Sequence, residues 1–100
     1  MKHHLFINTA KSMQDAIESL KKTNYLIVII EADNLEYLPY QKLIREMKPM
    51  PILVVSSKYD AAEKLEAIRL GADEYLVRPC TVEESITSGL ALIRRYTLLN

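Results

Sequence analysis

Three carboxylates follow one apolar run. In LIVIIEADNLEYLP, Glu31, Asp33 and Glu36 come directly after Leu26, Ile27, Val28, Ile29 and Ile30. Acids at the mouth of a buried strand can ligate Mg²⁺, accept a phosphoryl group, or simply hydrate the strand end. Mg²⁺ demands several oxygens in a near-octahedral shell, so one carboxylate on a loop makes a poor site. Other chemistry-bearing residues are sparse. His3 and His4 are adjacent and would face opposite sides of a strand, which is no metal-ligand spacing. Cys80 is the only cysteine, so no internal disulfide forms. With only Gly71 and Gly89 present, there is no glycine-rich phosphate loop, and a Rossmann nucleotide site is excluded. No Ser/His/Asp or Cys/His constellation stands out. Neither enzymatic activity nor a cofactor is expected, and Mg²⁺ is not expected to bind.

The elements around these acids alternate regularly. Residues 4–8, HLFIN, read as a strand. Residues 12–23 read as a helix with Met13, Ala16, Ile17 and Leu20 on one face and Ser12 and Asp15 at capping-box spacing. YLIVIIE is a β-branched run, and a strand apolar on both faces belongs in a covered parallel sheet. PYQKLIREMK is the next helix, with Leu43, Ile44 and Met47 giving it an apolar side. PILVVSS is a second apolar strand. DAAEKLEAIRLGA is a helix capped by Asp60 and stopped by Gly71. EYLV is a short strand. TVEESITSGLALIRRYTLL is a long last helix opened by Thr81 and Glu84. The order βαβαβαβα implies an α/β fold with a parallel sheet in three layers.

The totals agree with one domain over residues 1–100. Hydrophobic residues make up 49%, which suits a compact core and argues against disorder. Thirteen basic residues balance thirteen acidic ones, so nothing favours direct nucleic-acid binding. No apolar stretch is long enough to span a membrane. The lone cysteine and the absence of an apolar leader point to the cytoplasm.

PILVVSSKYDAAEKLEAIRLGADEYLVRPCTVEES resembles the C-terminal half of a response-regulator receiver domain, a CheY-like, flavodoxin-like fold. LGADEYLVRP carries most of that resemblance. AIESLKKTNYLIVIIEADNLEYLP is similar to the family's preceding helix, third strand and loop. The resemblance covers nearly the whole chain but not the whole family domain. The family's first strand, with its adjacent Mg²⁺-holding acids, and its first helix have no counterpart. The chain thus resembles an N-terminally truncated, degenerate receiver.

The resemblance implies roles for particular residues. The family's third strand ends in a phospho-accepting aspartate. Counted forward from Tyr25 that position is Glu31; counted back from Leu43 and Ile44 it is Ala32. Asp33 is reached only by a register shift, and one residue of shift turns a strand side chain to the other face. Glu31 is therefore the acceptor-equivalent residue, as a hydrated strand end or a fixed charge mimic, with Asp33 as the alternative acceptor. Ser56 matches the hydroxyl that senses the phosphoryl group, or is a strand-end hydroxyl bonded to backbone. Tyr75 matches the aromatic that rotates between inward and outward positions in activation, or is an ordinary half-buried strand tyrosine. Arg78 replaces the family's lysine and is positioned to pair with Glu31 or Asp33. Pro79 matches the proline often preceded by a cis bond.

GLALIRRYTLLN resembles the last receiver helix of the OmpR/PhoB class of winged-helix transcription regulators. That implies a two-component-type regulator with a DNA-binding domain following the receiver. The expected function is phosphorylation-independent signalling or dimerisation. The alternatives are a phospho-accepting receiver using Asp33 and a stand-alone protein-interaction domain. Without a first strand and helix, three helices should cover one sheet face and the last helix alone the other. The strand HLFIN is expected beside LIVII. A homodimer is expected to cover the thin face, with Gly89 allowing close helix approach.

Overall fold

The structure is a computed structural model, and it describes residues 10, 12–32, 36–47, 49–78 and 81–99. Seven elements alternate: α1 (Met13–Lys22), β1 (Val28–Glu31), α2 (Leu38–Met47), β2 (Ile52–Ser56), α3 (Ala61–Arg69), β3 (Glu74–Val77) and α4 (Val82–Leu99). The expected strand at residues 4–8 lies outside the described residues, and so does its pairing beside β1.

The three strands form one parallel sheet in the order β1-β2-β3. Val28 stands opposite Ile52 and Glu31 opposite Val55. Leu53 stands opposite Glu74 and Ser56 opposite Val77. This is the flavodoxin-like α/β arrangement expected from the alternation of apolar runs and amphipathic helices. Central β2 carries the most continuous apolar run and is the most buried element. Ile52, Leu53 and Val54 are wholly inaccessible. Burying each such side chain contributes about 1.5–3 kcal/mol.

The two faces are unequally covered, as expected. Ile17 and Leu20 of α1, Ile44 of α2 and Ala67 of α3 join Ile30, Ile52, Val54 and Tyr75 in one cluster. On the opposite face Leu53 and Val55 meet Leu92 of α4, with Ile27 and Leu76 at the margin. Ile29, on this thinner side, is 51% exposed.

Two expectations need correction. The run from Leu26 does not all enter the sheet: β1 begins at Val28, and Leu26 is 65% exposed. The ladder starts where its partner does. Val28 N–H donates to the Pro51 carbonyl at 3.0 Å, and Pro51 has no N–H to extend pairing upstream. Gly89 is not an open contact for a second chain. It is buried, and a Cβ there would lie 3.3 Å from Ile27 Cδ1, so its missing side chain lets α4 approach β1 within the chain.

The helix ends follow their capping residues. Ser12 Oγ accepts from Asp15 N at 3.1 Å, and Asp60 Oδ1 from Glu63 N at 3.0 Å. Thr81 and Glu84 form a reciprocal box at the start of α4: Glu84 N donates to Thr81 Oγ1 at 3.0 Å and Thr81 N to Glu84 Oε1 at 3.4 Å. Gly71 closes α3 with φ +107°, a conformation that L side chains rarely adopt.

Candidate functional site

The parallel order brings all three strand C-termini to one end of the sheet, where open α/β sheets place their sites. Glu31 closes β1, Ser56 closes β2, and Arg78 follows β3. The Arg78 amide donates to the Ser56 carbonyl at 2.8 Å, and the Ala32 amide to the Val55 carbonyl at 2.9 Å. The three strand ends are therefore level.

Strand alternation sorts the side chains between the faces. Ala32, Tyr75 and Val77 belong with the α1–α3 cluster. Ser56 continues the Ile52, Val54 series and shares that side. Glu31 follows Ile30 and so projects to the α4 side. There the Arg78 guanidinium reaches it, Nη2 to Oε1 at 3.0 Å. Arg78 thus pairs with Glu31, one of its two expected partners; the other, Asp33, lies outside the described residues, as do Pro79 and Cys80. The strand-end side chain on the Ser56 and Tyr75 side is the methyl of Ala32, 7% exposed.

Ser56 is buried, and its hydroxyl is satisfied by its own loop. It donates to the Lys58 carbonyl at 3.0 Å and accepts from the Lys58 amide at 3.3 Å. This is the backbone-bonded arrangement, one of the two anticipated for this residue.

Tyr75 is also buried, at 7% exposure. Its phenol donates to the Glu63 carboxylate, with the Lys58 carbonyl farther off at 3.5 Å. Burial, then the bond to Glu63, push the Tyr75 phenol above its ordinary range, and the Ser56 hydroxyl pulls the other way. A second phenol, Tyr37, stands 2% exposed with its hydroxyl unpartnered among the described residues. Burial raises it strongly, and the Glu63 charge adds to that. Sequence reasoning missed Glu63 and Tyr37. The only local signal was that Glu63 stands at capping-box spacing from Asp60.

A second polar network sits at the other end of the sheet. Arg45 of α2 donates to the Gly71 carbonyl at 2.7 and 3.1 Å, to Asp73 at 2.8 Å and to the Tyr96 hydroxyl at 2.9 Å. Asp73 also accepts from the Ile52 amide at 2.8 Å. Asp73 is thus a junction for β2, α2 and α4.

Among the described residues, no three His, Cys, Asp or Glu side chains converge to hold a metal ion. Among them, too, no helix is long and apolar enough to cross a membrane.

No family model matches the chain. In sequence it is similar to the response regulator ArlR of Staphylococcus aureus, 26% identical over 91 residues, which are 89% of this chain and 42% of that protein. The chain thus spans about two fifths of the curated relatives it matches. In structure it is similar to a two-component response regulator from Clostridium difficile, with TM-score 0.78, 24% identity, and coverage of 86% of this chain and 73% of that one. It is also similar to a CheY-like receiver domain protein from Methanospirillum hungatei, with TM-score 0.80, 10% identity, and coverage of 89% and 74%. The chain therefore has the CheY-like receiver fold, with three parallel strands among its described residues.

Proposed function

We propose that this chain is a receiver-like signalling module of a bacterial two-component-type transcription regulator, and that it works without phosphorylation. The observation that carries this reading is the division of the strand ends. Glu31 is turned to the α4 side and paired with Arg78, while Ala32 occupies the side shared by Ser56 and Tyr75. Phosphoryl transfer is chiefly positioning and charge neutralisation around Mg²⁺. A methyl group facing a hydroxyl already bonded to its own loop supplies neither.

In this reading Glu31, Ser56, Tyr75 and Arg78 keep the positions of a receiver site without its chemistry. The module acts by association with a second copy. Exposed Ile29 on the α4 side of the sheet, together with Ile86 and Leu90 on that helix, supplies an apolar surface of the kind that marks an interface. A winged-helix DNA-binding domain in the full-length protein completes the regulator, as the similarity to OmpR/PhoB-class proteins suggests.

Sedimentation equilibrium at micromolar concentration, with and without acetyl phosphate and Mg²⁺, tests this. The same dimer in both conditions is expected. A monomer in both would remove the dimerisation role. A dimer formed only with acetyl phosphate would replace this reading with phospho-acceptance at Asp33.

A further inference from the structure

We propose that Glu63 is a latch: its carboxylate, carried on the first turn of α3, holds the Tyr75 side chain inside the fold and so sets the position of this module's aromatic switch. Three observations converge on it. The first is the bond itself. A phenol has one hydrogen and can donate it to one acceptor at a time. Tyr75 has two acceptors in reach, the Glu63 carboxylate and the Lys58 carbonyl at 3.5 Å. The carbonyl lies beyond the ordinary O–H···O range, and the carboxylate is the charged and stronger acceptor.

The second is how Glu63 is used. Asp60, Ala61, Ala62 and Glu63 have the spacing of a capping box, and Asp60 makes its half by accepting from Glu63 N. In α4 the equivalent Glu84 returns to its own cap, reaching Thr81 N. Glu63 is directed to Tyr75 on β3 instead. The same local pattern thus serves helix capping in one place and a tertiary contact in the other. Because Asp60 pins the Glu63 backbone, the carboxylate is presented from a fixed base.

The third is the second phenol. Tyr37, on the segment leading into α2, is buried with its hydroxyl unpartnered among the described residues, near enough for Glu63 to raise it. When Tyr75 swings out, the Glu63 carboxylate has another donor at hand. Release of the latch then need not leave a half-buried carboxylate without a donor, which is what a two-position device requires.

The regulatory meaning of the latch rests on the receiver-like reading above. The latch itself does not, and it is tested without acetyl phosphate, DNA or a partner. The full chain is nitrated with tetranitromethane, and modification of each tyrosine is followed by peptide mass spectrometry. Tyr59, 66% exposed, reports the reactivity of an open phenol, and Tyr37, 2% exposed, reports integrity of the core. In the native chain Tyr59 is modified while Tyr75 and Tyr37 are protected. In Glu63→Ala, Tyr75 is expected to react roughly tenfold faster or more, the shift in opening produced by losing one charge-assisted hydrogen bond, with Tyr37 still protected. Unchanged protection of Tyr75 beside a protected Tyr37 would overturn the latch. If Glu63→Ala exposes Tyr37 as well, Glu63→Gln takes its place, because it keeps the side-chain shape with a neutral acceptor. A smaller rise confined to Tyr75 supports the latch, and no rise overturns it.

Discussion

Glu31 and Arg78 meet at 3.0 Å across the end of β2, joining the two strands that flank it. The pair lies at the strand ends, where the receiver-like chemistry would be sought, yet it is open to solvent: the Glu31 side chain is 72% exposed. Exposed pairs contribute about 0–1 kcal/mol. Glu31→Gln should therefore change the urea midpoint only slightly. If Glu31 acts as a fixed charge, the same variant shifts dimerisation of the chain, or DNA affinity of the full-length regulator proposed above. No shift in either would leave Glu31 as a hydrated strand end.

The Arg45 network should matter much more to stability. Its guanidinium bonds Gly71, Asp73 and Tyr96, and its ion pair with Asp73 is about three-quarters buried on both sides. Arg45→Leu leaves Asp73 without its cation and should cost about 2–4 kcal/mol by urea denaturation, a figure set below that of a fully buried pair because water still reaches it. Arg45→Lys should recover little, since one ammonium cannot reproduce the planar fork. Full recovery by lysine would show that charge alone is required.

The same network penalises a side chain at position 71. A Cβ on Gly71 would stand 2.8 Å from Arg45 Cγ, and φ is +107°. Gly71→Ala should lower stability by about 1–3 kcal/mol through backbone strain and the displaced arginine. A loss of only a few tenths would mean that the turn relaxes without disturbing Arg45.

Tyr37→Phe should not destabilise the protein. It removes a buried hydroxyl that has no partner among the described residues, so the expected change lies between none and a gain of about 1 kcal/mol. A loss larger than about 1 kcal/mol would show that the hydroxyl holds a bond in the folded state.

The parts of the fold legible in the sequence were those coded locally. Ser12, Asp60, Gly71 and the Thr81/Glu84 pair mark their helix ends because capping acts over three or four residues. Unequal cover of the sheet was legible because three helices read as successive crossovers of one hand. The start of β1 was not, because an apolar run states burial without stating where its neighbour's ladder begins; Pro51, more than twenty residues away, sets that. Arg45 with Asp73, and Glu63 with Tyr75, were hidden for the same reason. Each joins charges or hydroxyls on different elements, and nothing in the local spacing announces the meeting. Ser56 and Arg78 were found through family resemblance, whereas the face each one occupies came only from the register.

The central claim is that the strand ends hold a receiver-like arrangement without phosphoryl chemistry. Intact-mass measurement of the chain after incubation with acetyl phosphate and Mg²⁺ tests it most directly. The predicted result is an unchanged mass. A gain of one phosphoryl group that disappears in Asp33→Asn would contradict the account and make the module a phospho-acceptor.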